Sequence, residues 1–449
     1  MSEPRMTTAG SLAQRLAEIQ GGRADYWSFR GNAKRDHGHG LMQYPAMMVP
    51  QMVSALLAAV CESEDAIRRI ADPFVGSGTV LTEATLRGLS FVGNDINPLA
   101  ILLCRVKAGP IYPEAMTERA EVCLGRIAQS RSGHVEVDFP GRDKWFTSAV
   151  QDGLSRIRRA ITAENSLVVR RFLWVALAET VRLTSNSRTS TFKLHIRATN
   201  ERKGRRPDPI HVFTRVTRDN LKRYRSLGQS LRHRGHLKRG RYQGDVSLTL
   251  GDSRATFGAG IEAGSCDVVL TSPPYGDNVT TVPYGQYSYL PLNWIDLADI
   301  GSDVDRKCLS TTHEVDRRSL GGSRRIDPSR VDLLRNLSPS LAETLDALKG
   351  LPADRWQRVV AFAGDLQSCV SPTLRVARPG GLLFWVLGNR RVGGQTVPLD
   401  QILLEFLEKE TCTLVTQIRR CIPSKRMATR NNVASTMTNE TILVVRKGG

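Results

Sequence analysis

Asp267-Val268-Val269-Leu270-Thr271-Ser272-Pro273-Pro274-Tyr275 is a short apolar run that stops at two consecutive prolines. A proline has no amide hydrogen to give to a ladder and fixes its own φ, so the run predicts a buried strand that hands over to a stiff loop. The loop would present carbonyl oxygens, the Ser272 hydroxyl and the Tyr275 ring at the C-terminal end of a strand. That is where open α/β sheets bind their ligands. Ser-Pro-Pro also occurs in ordinary linkers, so the reading needs a second motif.

Asp72-Pro73-Phe74-Val75-Gly76-Ser77-Gly78-Thr79 supplies it. Residues 66–74 read as a helix end followed by a short buried strand, and the two glycines make the turn into a helix over residues 80–86. Glycine is needed there because a backbone that approaches a ligand closely has no room for a Cβ, while the helix start offers free amides. A further strand over residues 90–93 ends in Asn94-Asp95-Ile96-Asn97-Pro98, which puts a carboxylate 17 residues past Gly78. That is close to the roughly 20-residue offset at which an acid meets a ribose in dinucleotide folds. The third glycine of a dinucleotide fingerprint is missing, and no Gly-Lys-Ser/Thr occurs, which disfavours nicotinamide cofactors and phosphate-cradling NTPase loops.

Taken in order, Asp-Pro-Phe-x-Gly-Ser-Gly-Thr, Gly-x-Asp-Ile-Asn-Pro and Thr-Ser-Pro-Pro-Tyr resemble the S-adenosylmethionine-dependent amino-methyltransferases that modify exocyclic nitrogens of nucleic-acid bases. The Ser-Pro-Pro-Tyr form resembles the N4-cytosine DNA group more than the N6-adenine group. The resemblance covers residues 26–107 and 246–447. It implies that Phe74, Gly76, Gly78 and Thr79 line the methionine part of the cofactor with Asp72 near its amino group, and that Asp95 holds the ribose. It also implies that Asp252 contacts the adenine, that Thr271 is among the cofactor-binding residues, and that the Tyr44-Pro45-Ala46 turn packs across the cofactor. Ser272, Pro273, Pro274 and Tyr275 become the catalytic loop. Asp72 and Asp252 could equally cap the turns in which they sit.

The implied fold is a doubly wound, seven-stranded, Rossmann-like α/β sheet whose last two strands are adjacent. Residues 1–25 read as a peripheral segment with an amphipathic helix over 12–19. Residues 26–107 form the cofactor half and 246–449 the catalytic half. A mobile polar excursion is expected over 301–336, and a helix over 354–376 that is kinked or restarted at Pro372.

Residues 108–245 are too long for a crossover and read as an inserted target-recognition region. Its first part has helical spacing, with Phe172 and Trp174 as core residues. Between Arg182 and Gln243, 18 Lys and Arg face three acids, Glu201, Asp208 and Asp219. That segment carries +15 of the chain's +19. A block of one sign repels itself unless an anionic partner neutralises it, and nucleic acid fits best. Arg188, Lys193, Arg202, Lys203, Arg205 and Arg206 are the leading candidates, with Arg215, Lys222 and Arg223 further along. The interleaved Phe192, His195, Phe213, Tyr224 and Tyr242 suggest base stacking. Lys425, in a basic turn between the last two strands, is a further candidate.

Double-stranded DNA is the expected partner, and the family leaves room for a cognate restriction or phage-defence component. No apolar run is long enough to span a membrane, and residues 1–10 lack a secretory pattern. The eight cysteines have no ligand spacing, and His37-Gly38-His39 has no further ligand in step, so neither a metal site nor a disulfide framework is expected. A reducing cytoplasm fits. An RNA-base methyltransferase acting on guanosine N2 remains open as an alternative, as does a cofactor-sensing DNA-binding protein with little catalysis.

Overall fold

A computed structural model describes residues 9–31, 36–64, 66–323, 326–422 and 439–449. Lys425 and most of the predicted basic turn lie outside the described residues, as do Arg324, Arg325 and the first eight positions.

Seven strands form one sheet: β1 (Arg69–Asp72), β2 (Ser90–Asp95), β3 (Val246–Leu250), β4 (Cys266–Thr271), β5 (Ala377–Leu387), β6 (Thr413–Cys421) and β7 (Asn439–Arg446). Their order across the sheet is β3-β2-β1-β4-β5-β7-β6. All run parallel except β7, which is antiparallel to both neighbours. This is the predicted doubly wound α/β methyltransferase-type sheet, with the last two strands adjacent. The chain winds outward in one direction from β1 and in the other from β4, so the topological switch point lies between those two strands.

Period-two alternation sorts the strand residues between two cores. Ile70, Phe91, Val268, Leu270 and Phe384 lie in one, and Ala71, Val92, Val269, Leu383 and Trp385 in the other. Because both faces are covered, the strands read as continuous apolar runs. Residues 108–245 are helical in large part, with helices Pro113–Gln129, Ser148–Thr162, Leu167–Thr184 and Pro209–His233. Their Met116, Leu154, Phe172, Trp174 and Phe213 enter the first core together with the sheet residues. Phe172 and Trp174 are core residues, as their spacing predicts.

The predicted base-stacking role of Phe213, Tyr224 and Tyr242 is corrected here. Phe213 and Tyr224 are buried on the inner face of helix Pro209–His233, and the Tyr242 hydroxyl donates to the Leu89 carbonyl at 2.9 Å. Helical spacing explains the alternation, since one face carries Phe213, Tyr224, Leu227 and Leu231 while Arg215, Arg218, Lys222 and Arg225 fall on the other.

Segment 301–336, expected as a mobile polar loop, contains helices Glu314–Arg318 and Pro328–Leu337 and buries Val315, Asp316 and Leu320. It is a packed wall, because Cys308, Val315, Leu320 and Leu334 point inward, while Leu333 is left exposed. Helix Ala353–Val376 runs through Pro372 as one element. The N-terminal amphipathic helix spans Ala9–Gln20. Among the described residues no helix is long and apolar enough to cross a membrane.

Candidate active site

The C-terminal ends of β1, β2, β3 and β4 surround a cleft that is open to solvent. Its wall is formed by Tyr44 and Pro45, by Phe74, Gly76, Ser77 and Thr79, by Asp95 and Asn97, by Asp252, and by Ser272 and Pro274. Five separate predicted blocks therefore meet here. Asp72, Gly78, Thr271, Pro273 and Tyr275 belong to the same blocks but do not line the cleft.

Two glycines shape the first turn. Gly76 has φ +49° and Gly78 φ +73°, and a Cβ on Gly78 would lie 2.9 Å from the Cys104 sulfur. Both positions therefore exclude ordinary side chains, for backbone reasons and, at Gly78, also for lack of space. Asp95 locks this turn to β2: its Oδ2 accepts from the Gly76 amide and its Oδ1 from the Asn97 amide, both at 2.8 Å. Burial lifts the Asp95 carboxyl to about 6 against those two bonds.

Asp72 is fully buried. Its Oδ1 accepts from the Phe74 amide at 3.0 Å and from the Thr271 hydroxyl at 2.6 Å, which ties β1 to the end of β4. Its Oδ2 is buried and has no partner among the described residues. Desolvation pushes this carboxyl up to about 7. The turn-capping alternative is thus realised on one oxygen and leaves the other free.

In the loop after β4 the Ser272 hydroxyl lies 3.2 Å from the Tyr275 hydroxyl. Tyr275 donates to Glu440 Oε1 at 3.1 Å, and Arg420 donates to the other oxygen of Glu440 at 2.8 Å. Burial, and next the Glu440 carboxylate, hold the Tyr275 hydroxyl well above its usual range. Tyr275 is therefore a neutral phenol pinned from β7 across 165 residues of chain.

On the opposite wall the Tyr44 hydroxyl accepts from Asn97 Nδ2 at 2.9 Å, and the same amide reaches Ser288 at 2.7 Å. Asp252 is gripped by Arg254 through both carboxylate oxygens and accepts the Arg254 amide at 3.0 Å, so it caps its own turn as well as facing the cleft. Asn94 joins three strand ends, donating to the Gly251 carbonyl and to Ser253, both at 2.9 Å, while Ser253 donates to Pro73 O at 2.5 Å. His39, read as a loop residue, is buried 3.0 Å from Glu83.

The basic candidates separate into three groups. Arg188 and Lys193 sit on a hairpin-like segment joined by the Ser187–Ile196 bridge. That segment adjoins the cleft wall: the Leu194 amide donates to Gln286, and the Phe192 ring packs 5.8 Å from Tyr287. Lys203 and Arg206 are exposed near the start of helix Pro209–His233, and Arg215 and Lys222 are exposed on its outer face. Arg202, Arg205 and Arg223 are half-buried. Arg205, named above as a phosphate contact, donates to the Ser185 and Leu183 carbonyls at 2.7 and 2.9 Å and so caps the end of helix Leu167–Thr184.

Several participants carried no legible signal. Glu440, Arg420, Asn94 and Ser288 act through partners remote in sequence. Asn97 before Pro98 reads as a helix cap, which it is, but not as the support of Tyr44. Val315, Ser319, Leu320 and Asn278 complete the cleft.

The Type II methyltransferase M.MvaI of Kocuria varians is 30% identical to the chain over 453 residues, spanning 97% of this chain and 96% of that protein. The Type II methyltransferase M.MjaII of Methanocaldococcus jannaschii is 37% identical over 71 residues, 16% of this chain and 13% of that protein. No protein-family model matches. Among solved structures, the rRNA methyltransferase aviRa from Streptomyces viridochromogenes aligns over 93% of this chain and 96% of its own at 11% identity, with a TM-score of 0.30. That score is too low to bear on fold or function.

Proposed function

The chain belongs to the Type II methyltransferases, and from that premise we propose that it methylates an exocyclic amino group of a DNA base, cytosine N4 in the first place and adenine N6 as the alternative. The observation that carries this reading is the meeting in one cleft of Ser272 and Pro274 with the Gly76 turn and Asp95. The donor would be S-adenosylmethionine, and the residues present fit it. A glycine turn leaves room for close approach, and a buried carboxylate oxygen on Asp72 lacks a donor. Asp95 would hold the ribose hydroxyls and Asp252 would face the adenine. Bound there, the cofactor supplies an electrophilic methyl group on a sulfonium.

The lone pair of an exocyclic base nitrogen is conjugated with its ring and is a poor nucleophile. Ser272 and the carbonyl of Pro273 would accept the amine's N–H bonds and turn its lone pair toward the methyl group, with the prolines keeping both acceptors in place. Tyr275, fixed by Glu440, would stack on a base taken out of the duplex. Transfer is then a direct in-line displacement with no covalent enzyme intermediate. Ser272, where the N6-adenine group more often carries Asp or Asn, favours cytosine.

Methyl transfer from labelled cofactor to unmethylated duplex DNA and to RNA, followed by nucleoside analysis, tests the reading. N4-methylcytosine in DNA is expected, and label confined to RNA would overturn it. Ser272→Ala and Tyr275→Ala should each lower transfer about a hundred-fold while S-adenosylhomocysteine still binds.

A further inference from the structure

One buried group on the cleft wall has no part in the chemistry above. Asn278, three residues past Tyr275, is 1% exposed and lines the cleft beside Tyr284 and Ser319. Its loop is braced from behind, where Asp277 pairs with Arg390 at 3.3 Å and Arg358 at 3.5 Å. Asp316, fully buried, accepts from the Gly285 amide at 2.7 Å and the Gln286 amide at 3.1 Å, and also from the Asn278 side chain.

With both Asp316 oxygens held as acceptors by those two amides, the half of the Asn278 amide turned toward it is the NH2. The network thereby decides an orientation that electron-rich O and N atoms would otherwise leave ambiguous. What remains is Asn278 Oδ1, buried and without a partner among the described residues. Buried acceptors are nearly always satisfied, so one left bare at a cleft wall marks the place of a donor that arrives with a ligand.

We propose that Asn278 Oδ1 accepts a hydrogen bond from the amino group of a nucleobase bound in this cleft, so that Asn278 selects amino-bearing bases over their keto counterparts. The Tyr284 ring, Val315 and Leu320 provide an apolar, partly aromatic surround suited to a flat ring. A keto oxygen brought to the same spot would meet Oδ1 acceptor to acceptor. The inference rests on the proposed function, in which two nucleobases enter the cleft, the adenine of the cofactor and the target base. Asp316 is then a positioning residue that holds the amide in the required sense.

Binding measurements on wild type and Asn278→Ala distinguish the sources. One arm compares S-adenosylhomocysteine with S-inosylhomocysteine, in which a keto oxygen replaces the adenine amine. The other compares duplexes carrying the target base or its deaminated form, with S-adenosylhomocysteine present. Wild type should prefer the amino form about ten-fold in one arm, and Asn278→Ala should lose most of that preference. Loss in the first arm assigns the adenine, and loss in the second assigns the target base, with Asn278 then taking one of the two N–H bonds given above to Ser272 and Pro273. Asp316→Asn, which frees the amide to rotate, should blunt the same preference. A wild type that does not discriminate in either arm overturns the inference without recourse to a variant. So does a preference that Asn278→Ala leaves intact. Failure of wild type to bind S-adenosylhomocysteine at all would overturn the proposed function and this inference with it.

Discussion

Asp72 carries two donors on one carboxylate oxygen and none on the other, and burial raises it to about 7. A carboxyl whose folded pKa is raised holds its proton more tightly folded than unfolded. Its contribution to stability is therefore present at low pH and is lost as pH rises from the ordinary carboxylate range through about 7. Binding of a ligand ammonium has the opposite sign, because it needs the ionised form. The affinity for S-adenosylhomocysteine should accordingly rise between about pH 6 and pH 8 in wild type. Asp72→Asn should weaken binding about ten-fold and remove that part of the pH dependence, leaving what Asp95 contributes near 6. Calorimetry across that range checks this, and an unchanged profile would leave Asp72 as a turn cap alone. At this scale the sequence shows which acid stands where. That a single oxygen of Asp72 is left bare follows from Thr271 arriving on another strand.

At the scale of elements, the basic block consists of a hairpin-like segment beside the cleft and a long helix that packs on helices Pro113–Gln129, Ser148–Thr162 and Leu167–Thr184. Gln286, which holds the hairpin-like segment, lies two residues from the cleft-lining Tyr284. Reversing charge at Arg188 and Lys193 together should weaken DNA binding and reduce the slope of log affinity against log salt by about two. The same change at Arg215 and Lys222 should leave methyl transfer near wild type. Filter binding over a salt series separates the two, and equal effects would spread the duplex along the helix. Charge reversal at Arg205 is a different experiment, because it strips the end of helix Leu167–Thr184 of its two donors. Composition reveals the charge of this block but not its division, since half-buried and exposed arginines read alike until the apolar face of the helix is set against a core.

Over the whole molecule, the helices of residues 108–245 share one apolar core with one face of the sheet. They are also tied to the segment that follows the Ser272–Tyr275 loop: Asp299 accepts from Arg170 through both oxygens at 2.7 Å and from the Trp174 indole at 2.7 Å. Thermal unfolding followed by circular dichroism and by tryptophan fluorescence should therefore give one coincident transition. Residues 108–245 expressed alone should fail to show cooperative unfolding, because the apolar faces of Phe172, Trp174 and Phe213 would lose their cover. Two separated transitions would contradict a shared core.

The sequence by itself determined the strands that stop at prolines, the glycine turn and the acids at strand ends. From these came the sheet type and the local stretches that contribute Gly76, Asp95, Asp252 and Ser272 to the cleft wall. Those features act through backbone constraint within a few residues, so they can be read locally. Tertiary structure alone decided that Glu440 holds Tyr275, that Asp316 orients Asn278, that Arg205 is a cap, and that segment 301–336 is a wall. Each of these depends on which distant group is packed alongside and on how much water that packing removes, and neither quantity is written in a local stretch of residues.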